Sequence, residues 1–327
     1  MKKKSLEIIF GLLLLCGVVF LAGCGKSQSA TEQQSQLRSA GMKAMSEGNL
    51  KLAVSDFDQA LKKSNGEIGE IELDLCYQKG ICQYKAGLKK EALETLTALL
   101  KYDERDSKAY YLRGTIYMAE KSEEKAIRDF NQAVEYEKQE YELYIGIYQQ
   151  LMDANLLENA KDYLKLAEKI DGDSPKDNRE KGRICLLLKD YEQAKKYLDL
   201  ALNEKDEDAK LYMARLLEET GNVKQAYSVY ESYANSNKKD GNAQNKLGLI
   251  LMDAKDYKGA VNYFQKAIAS GTVDDVLTTG KNMIVCYEKQ ADYKNAFQAA
   301  SDLAKKFPQD LEIKKECLFL STRISEE

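Results

Sequence analysis

Small, large apolar and polar residues recur at helical spacing along most of this chain. In the stretch GRICLLLKDYEQAKKYLDLA (182–201), Gly182 precedes Ala194 by twelve residues, and Tyr191, Leu198 and Ala201 fall on the stripe of Ala194. Two antiparallel helices that meet across Gly182 and Ala194 have small residues where their backbones approach. Tyr191, Leu198 and Ala201 then fill the seam. The pattern predicts a helix hairpin.

The same spacing repeats. The position of Ala194 recurs as Ala53, Ala92, Ala126, Ala160, Ala226, Ala260 and Ala296, in steps of 39, 34, 34, 34, 32, 34 and 36 residues. The small residue twelve positions earlier recurs as Gly41, Gly80, Gly114, Ala214 and Gly248, with Tyr148 and Ile284 in the fourth and eighth units. Four residues past each alanine stand Phe57, Leu96, Phe130, Leu164, Leu198, Tyr230 and Phe264, and in the eighth unit Ala300. Turns are expected at Gly48-Asn49, Ala86-Gly87, Lys189-Asp190, Gly221-Asn222, Lys255-Asp256 and Ala291-Asp292, where Gly, Asn and Asp suit the end of one helix and the cap of the next. Extra residues between units fall near 64–72 and near Ser270-Gly271.

Eight units in phase, with runs such as KDYEQAKKYLDLAL and KDYKGAVNYFQKAI, resemble the tetratricopeptide repeat, a unit of about 34 residues built as helix-turn-helix. The chain has no Trp at the family's usual position, and the closing Pro survives only as Pro308. The resemblance implies an all-α, right-handed α-solenoid over residues 37–310, with residues 311–327 adding a capping helix and tail.

The first 23 residues read as a targeting signal. Lys2, Lys3 and Lys4 precede an apolar run from Ile8 to Leu21, and then comes Leu21-Ala22-Gly23-Cys24. This resembles the bacterial lipoprotein lipobox, which implies cleavage before Cys24 and a diacylglyceryl group on its thiol. Such a chain is anchored on the extracytoplasmic face of the cell membrane, where two acyl chains hold firmly. Residues 24–36 carry no apolar periodicity and are expected to be a flexible linker.

Acidic and basic residues are interspersed, for a formal net charge of −4. Without a long basic run, nucleic acid is not an expected partner. Five cysteines beyond Cys24 (Cys76, Cys82, Cys185, Cys286 and Cys317) lie within helical patterns and read as small buried hydrophobes. The chain has no His, and it lacks a phosphate-binding glycine loop, GxSxG and HExxH. Neither an enzyme nor a cofactor or metal site is expected.

The resemblance further implies that first-helix positions line a concave face. In the first four units those positions hold Met42, Met45, Tyr77, Ile81, Tyr84, Tyr111, Thr115, Met118, Ile145 and Met152. Met and Tyr offer adaptable contact area for a peptide or partner segment. The competing reading of the same residues is packing between repeats. In the fifth unit Lys176, Arg179 and Arg183 share a helix face; they suit a partner carboxylate or pair with nearby acids. The expected function is a membrane-anchored scaffold for a protein or peptide partner. An envelope assembly or secretion chaperone and a cell-wall glycan-binding lipoprotein are the alternatives.

Overall fold

The computed structural model describes residues 28–324 apart from 65 and 67. The expected signal peptide (residues 1–23) and the lipidation site Cys24 lie outside the described residues. Among these there are seventeen α-helices and no strand. They alternate as first and second members of hairpins: α1 (Gln28–Ser46) with α2 (Leu50–Lys62), α3 (Glu70–Lys85) with α4 (Lys89–Tyr102), α5 (Ser107–Ala119) with α6 (Glu123–Tyr136), and α7 (Tyr141–Asp153) with α8 (Leu157–Glu168). The series continues with α9 (Pro175–Leu188) and α10 (Tyr191–Asn203), α11 (Ala209–Glu219) and α12 (Val223–Ser236), α13 (Gly241–Asp253) and α14 (Tyr257–Ser270), α15 (Val276–Lys289) and α16 (Tyr293–Lys306), and ends with α17 (Leu311–Ile324). Two compact units, Met1–Asp171 and Gly172–Glu327, hold four hairpins each, the second also carrying α17. Each is an all-α repeat solenoid.

The alanine ruler is the core. Ala53, Ala92, Ala126, Ala160, Ala194, Ala226, Ala260 and Ala296 are all fully buried, and every second helix begins three residues before its alanine. The large residue four positions on is buried in seven hairpins, and in five of them it packs on the glycine of the first helix: a Cβ on Gly114 would lie 2.7 Å from the Phe130 ring. In the eighth hairpin the sizes exchange. Ile284 stands in the glycine position and Ala300 in the large one, and both are buried in one cluster with Leu303. In the fourth, Gly146 and Ile147 are buried while Tyr148 is half-buried.

Each hairpin turns through one left-handed residue five positions before its alanine. Three are glycines (Gly48, Gly87, Gly221); the others are Lys121, Asn155, Lys189, Lys255 and Ala291. Several following helices are capped by aspartate: Asp190, Asp256 and Asp292 accept from the backbone N–H of Gln193 (3.1 Å), Gly259 (3.0 Å) and Asn295 (3.1 Å).

One boundary differs from expectation. Residues 28–36, expected as linker, belong to α1. Gln34 is buried and its amide donates to Glu72 Oε1 at 2.8 Å, and Arg38 pairs with Asp74 at 2.7 Å. Polar contacts with α3 hold this helix, so apolar periodicity could not reveal it. The helix α17 buries Ile313 and Leu320 against the last hairpin and leaves Leu311, Leu318 and Phe319 exposed. Cys82, Cys185 and Cys286 are buried, Cys76 and Cys317 half-buried, and none of the five is in a disulfide among the described residues. Burial pushes Cys82 and Cys286 up to about 11, which keeps them protonated at neutral pH.

Candidate functional site

The first-helix residues singled out in the first unit divide into two sets. Met42 on α1 is 40% exposed, and Tyr77 and Tyr84 on α3, with Ile145 and Met152 on α7, are half-buried. Met45, Ile81, Tyr111, Thr115 and Met118 are buried. The buried set includes all three positions of α5, which packs against both α3 and α7. The three on α5 are packed away because α5 is flanked on both sides by first helices. Ile81, Tyr84, Leu112 and Thr115 close around a gap between α3 and α5 of about 10 Å³, about what one water needs.

Polar contacts tie neighbouring first helices together. The Tyr77 hydroxyl donates to Asp106 Oδ2 at 2.6 Å, and Asp106 Oδ1 also caps α5 by accepting from Ala109 N at 2.8 Å. Burial and the Asp106 carboxylate hold the Tyr77 phenol far above its ordinary range, so it remains a donor. The Lys108 ammonium sits 4.2 Å over the Tyr77 ring. Tyr84 lies beside the ion pair of Lys89 with Glu120.

Asp106 and Lys108 also border a cleft of about 340 Å³ at the N-terminal end of α5. Tyr111, Leu112 and Leu143 form its apolar part; Arg105 and Lys108 stand on the α5 side, and Tyr136, Glu137 and Glu140 on the α6–α7 connection. Ser107 Oγ donates to the Ala133 carbonyl at 2.9 Å, which fixes the start of α5 against α6. The Tyr111 hydroxyl is buried and makes no well-formed hydrogen bond among the described residues; burial pushes it up to about 12, and the neighbouring Thr115 hydroxyl draws it part of the way back. Thr115, one turn along, donates its own hydroxyl to the Tyr111 carbonyl at 2.9 Å.

In the second unit the basic cluster is only partly open. Arg179 binds Glu180 at 3.0 Å and Asp206 at 2.8 Å, and Arg183 binds Glu180 at 3.1 Å with its guanidinium 5.6 Å from the Tyr212 ring centre. Lys176 is exposed. Arg179 is engaged within α9 and with the α10–α11 connection, Arg183 within α9 and with α11, and both bind the buried Glu180. Of the other first-helix charges, Arg215 pairs with Glu219 at 2.8 Å, and Lys281 holds Asp310 and Glu312 at 3.1 and 2.9 Å.

Sequence reasoning missed the cleft. Arg105, Glu137 and Glu140 lie in connections and Lys108 in the first turn of α5, outside the repeat positions that the resemblance directs inward. The available signal was weak: an aromatic residue, Tyr136, at a helix end followed by Glu137.

Tetratricopeptide repeat models match residues 77–141 and 211–274, and a second such model matches 180–208, so these stretches carry tetratricopeptide repeats. A solved tetratricopeptide repeat protein from Parabacteroides merdae is similar over 78% of this chain and 99% of its own, with a TM-score of 0.50 and 16% identity, a likeness of fold. A thermophilic tetratricopeptide repeat protein from Thermus thermophilus matches 67% of this chain and 99% of its own, with a TM-score of 0.36 and 20% identity. A DnaJ homolog subfamily C member 3 homolog from Dictyostelium discoideum is 32% identical over 85 residues, which is 26% of this chain and 17% of that protein. The chain thus spans about a sixth of that curated relative.

Proposed function

We propose that this protein is a membrane-tethered repeat scaffold that holds a protein partner on the first-helix face of its first four hairpins. The observation that carries this reading is the accessibility of Met42, Tyr84, Ile145 and Met152, apolar and amphipathic side chains on α1, α3 and α7 of one solenoid unit. Large apolar groups left accessible on a repeat stack fit a partner surface. The general role of such repeats in protein binding agrees with it, and the groove is narrower than the sequence alone implies because α5 contributes buried positions.

The tether is the lipobox-like Leu21-Ala22-Gly23-Cys24, with the diacylglyceryl group on Cys24. Anchoring concentrates the scaffold at the extracytoplasmic surface and raises the effective concentration of a membrane-associated partner. Fractionation of cells carrying Cys24→Ser tests it: the native chain stays with the membrane and the variant leaves it. Equal distribution of the two contradicts the anchor. An envelope chaperone would instead bind clients transiently and suppress their aggregation.

A further inference from the structure

We propose that the cleft at the N-terminal end of α5 is a second binding site, for a polypeptide segment in which an acidic and a basic residue flank an apolar one. The inference goes beyond the first-helix face and stands on different residues.

The cleft has opposite rims. On one side Arg105 and Lys108 stand at the N-terminal end of α5, and neither has a carboxylate within ion-pair distance among the described residues. Lys108 is held in place by the Tyr77 ring, and the nearby Asp106 is already occupied by Tyr77 and Ala109 N. On the other side Glu137 and Glu140 follow the C-terminal end of α6. The N-terminus of α5 adds positive partial charge to the first rim and the C-terminus of α6 negative charge to the second, where Glu140 also caps α7 by accepting from Glu142 N at 3.4 Å. Between the rims lies an apolar floor. An occupant with one charge only meets repulsion on one side; one with both charges is complementary to each rim.

The floor carries a buried polar group. Tyr111 is 6% exposed, and its hydroxyl is buried without a well-formed hydrogen bond among the described residues. Tyr111 lines the cleft between the two rims. A buried hydroxyl left unbonded is a cost that a peptide carbonyl or amide entering the cleft removes. A volume of about 340 Å³ accommodates a few residues of chain and no folded domain.

The test uses the purified full-length chain in detergent and three fluorescein-labelled pentapeptides, Gly-Asp-Phe-Lys-Gly, Gly-Asp-Phe-Asp-Gly and Gly-Lys-Phe-Lys-Gly, followed by anisotropy. The first is expected to bind about tenfold tighter than either of the others. Lys108→Glu is expected to move the preference to the Lys-Phe-Lys peptide, and Glu137→Lys to the Asp-Phe-Asp peptide. Tyr111→Phe keeps the ring and is expected to weaken the first peptide about threefold or more without lowering thermal stability. Equal binding of all three peptides, no saturation into the millimolar range, or a ranking untouched by Lys108→Glu overturns the proposal. So does full displacement by free phenylalanine at the peptide's own concentration, which would make the occupant a small zwitterion. None of these readings depends on partner capture at the membrane, so failure here leaves the first-helix face standing.

Discussion

Gly182 and Leu198 face each other so closely across the fifth hairpin that a Cβ on the glycine would lie 2.6 Å from the leucine Cγ. The leucine occupies the space that a side chain on α9 would need, and this lets α9 and α10 approach. Gly182→Ala is therefore expected to destabilise the protein by roughly 1–3 kcal/mol, despite the better helix propensity of alanine. Leu198→Ala alone is expected to cost about 2–5 kcal/mol through the cavity it leaves. The double variant should lose less than the sum, because each change makes room for the other. Urea unfolding of the four proteins measures this, and strict additivity contradicts the seam.

The turns give a second prediction. Ala291 holds a φ of 58° with a Cβ, whereas Gly221 holds 82° without one. Ala291→Gly relieves the left-handed strain and is expected to stabilise by about 0.5–1 kcal/mol. Gly221→Ala is expected to destabilise by about 1 kcal/mol, although no atom lies within 4 Å of the added Cβ, so the cost is conformational alone. Thermal unfolding of both variants checks the signs.

These two positions also show how far the sequence reaches. Glycine in a turn and glycine in a seam follow the repeat, and the hairpin count, the turns and the buried alanines were legible from spacing. The exchange of Ile284 and Ala300 was visible only as two separate irregularities, since complementarity of size across a seam is a three-dimensional fact. The start of α1 was illegible because Gln34 and Arg38 hold it through Glu72 and Asp74, with no apolar stripe. The candidate face follows from the repeat as a set of positions. Which of its members stay accessible depends on how first helices pack on one another, and this left Met42 exposed and buried Met118.

The arginines of α9 are expected to act on stability. Arg179→Ala removes one of two cations that hold the buried Glu180, and also frees Asp206. It should cost about 1–3 kcal/mol in urea unfolding while leaving partner capture unchanged. Loss of capture without loss of stability would return these arginines to a binding role.

Acid should tighten the last helix. Burial raises the Glu288 carboxyl on α15 above its ordinary 4.5, Glu316 on α17 raises it further, and Lys289 draws it part of the way back. A carboxyl raised in the folded state contributes stability that is fully present below its unfolded value and is lost as pH rises through its folded value. Native protein and Glu288→Gln should therefore melt alike near about pH 4, and the variant should melt higher near about pH 7. Melting curves that stay parallel across this range contradict the assignment.

Accessible side chains on α1, α3 and α7 are the proposed partner site. Its most direct measurement is crosslinking in intact membranes followed by purification, comparing the native chain with Met42→Ala/Tyr84→Ala/Met152→Ala. A stoichiometric partner is expected on the native chain, and its loss from a variant that unfolds at the same urea concentration. Equal capture by the two would contradict it.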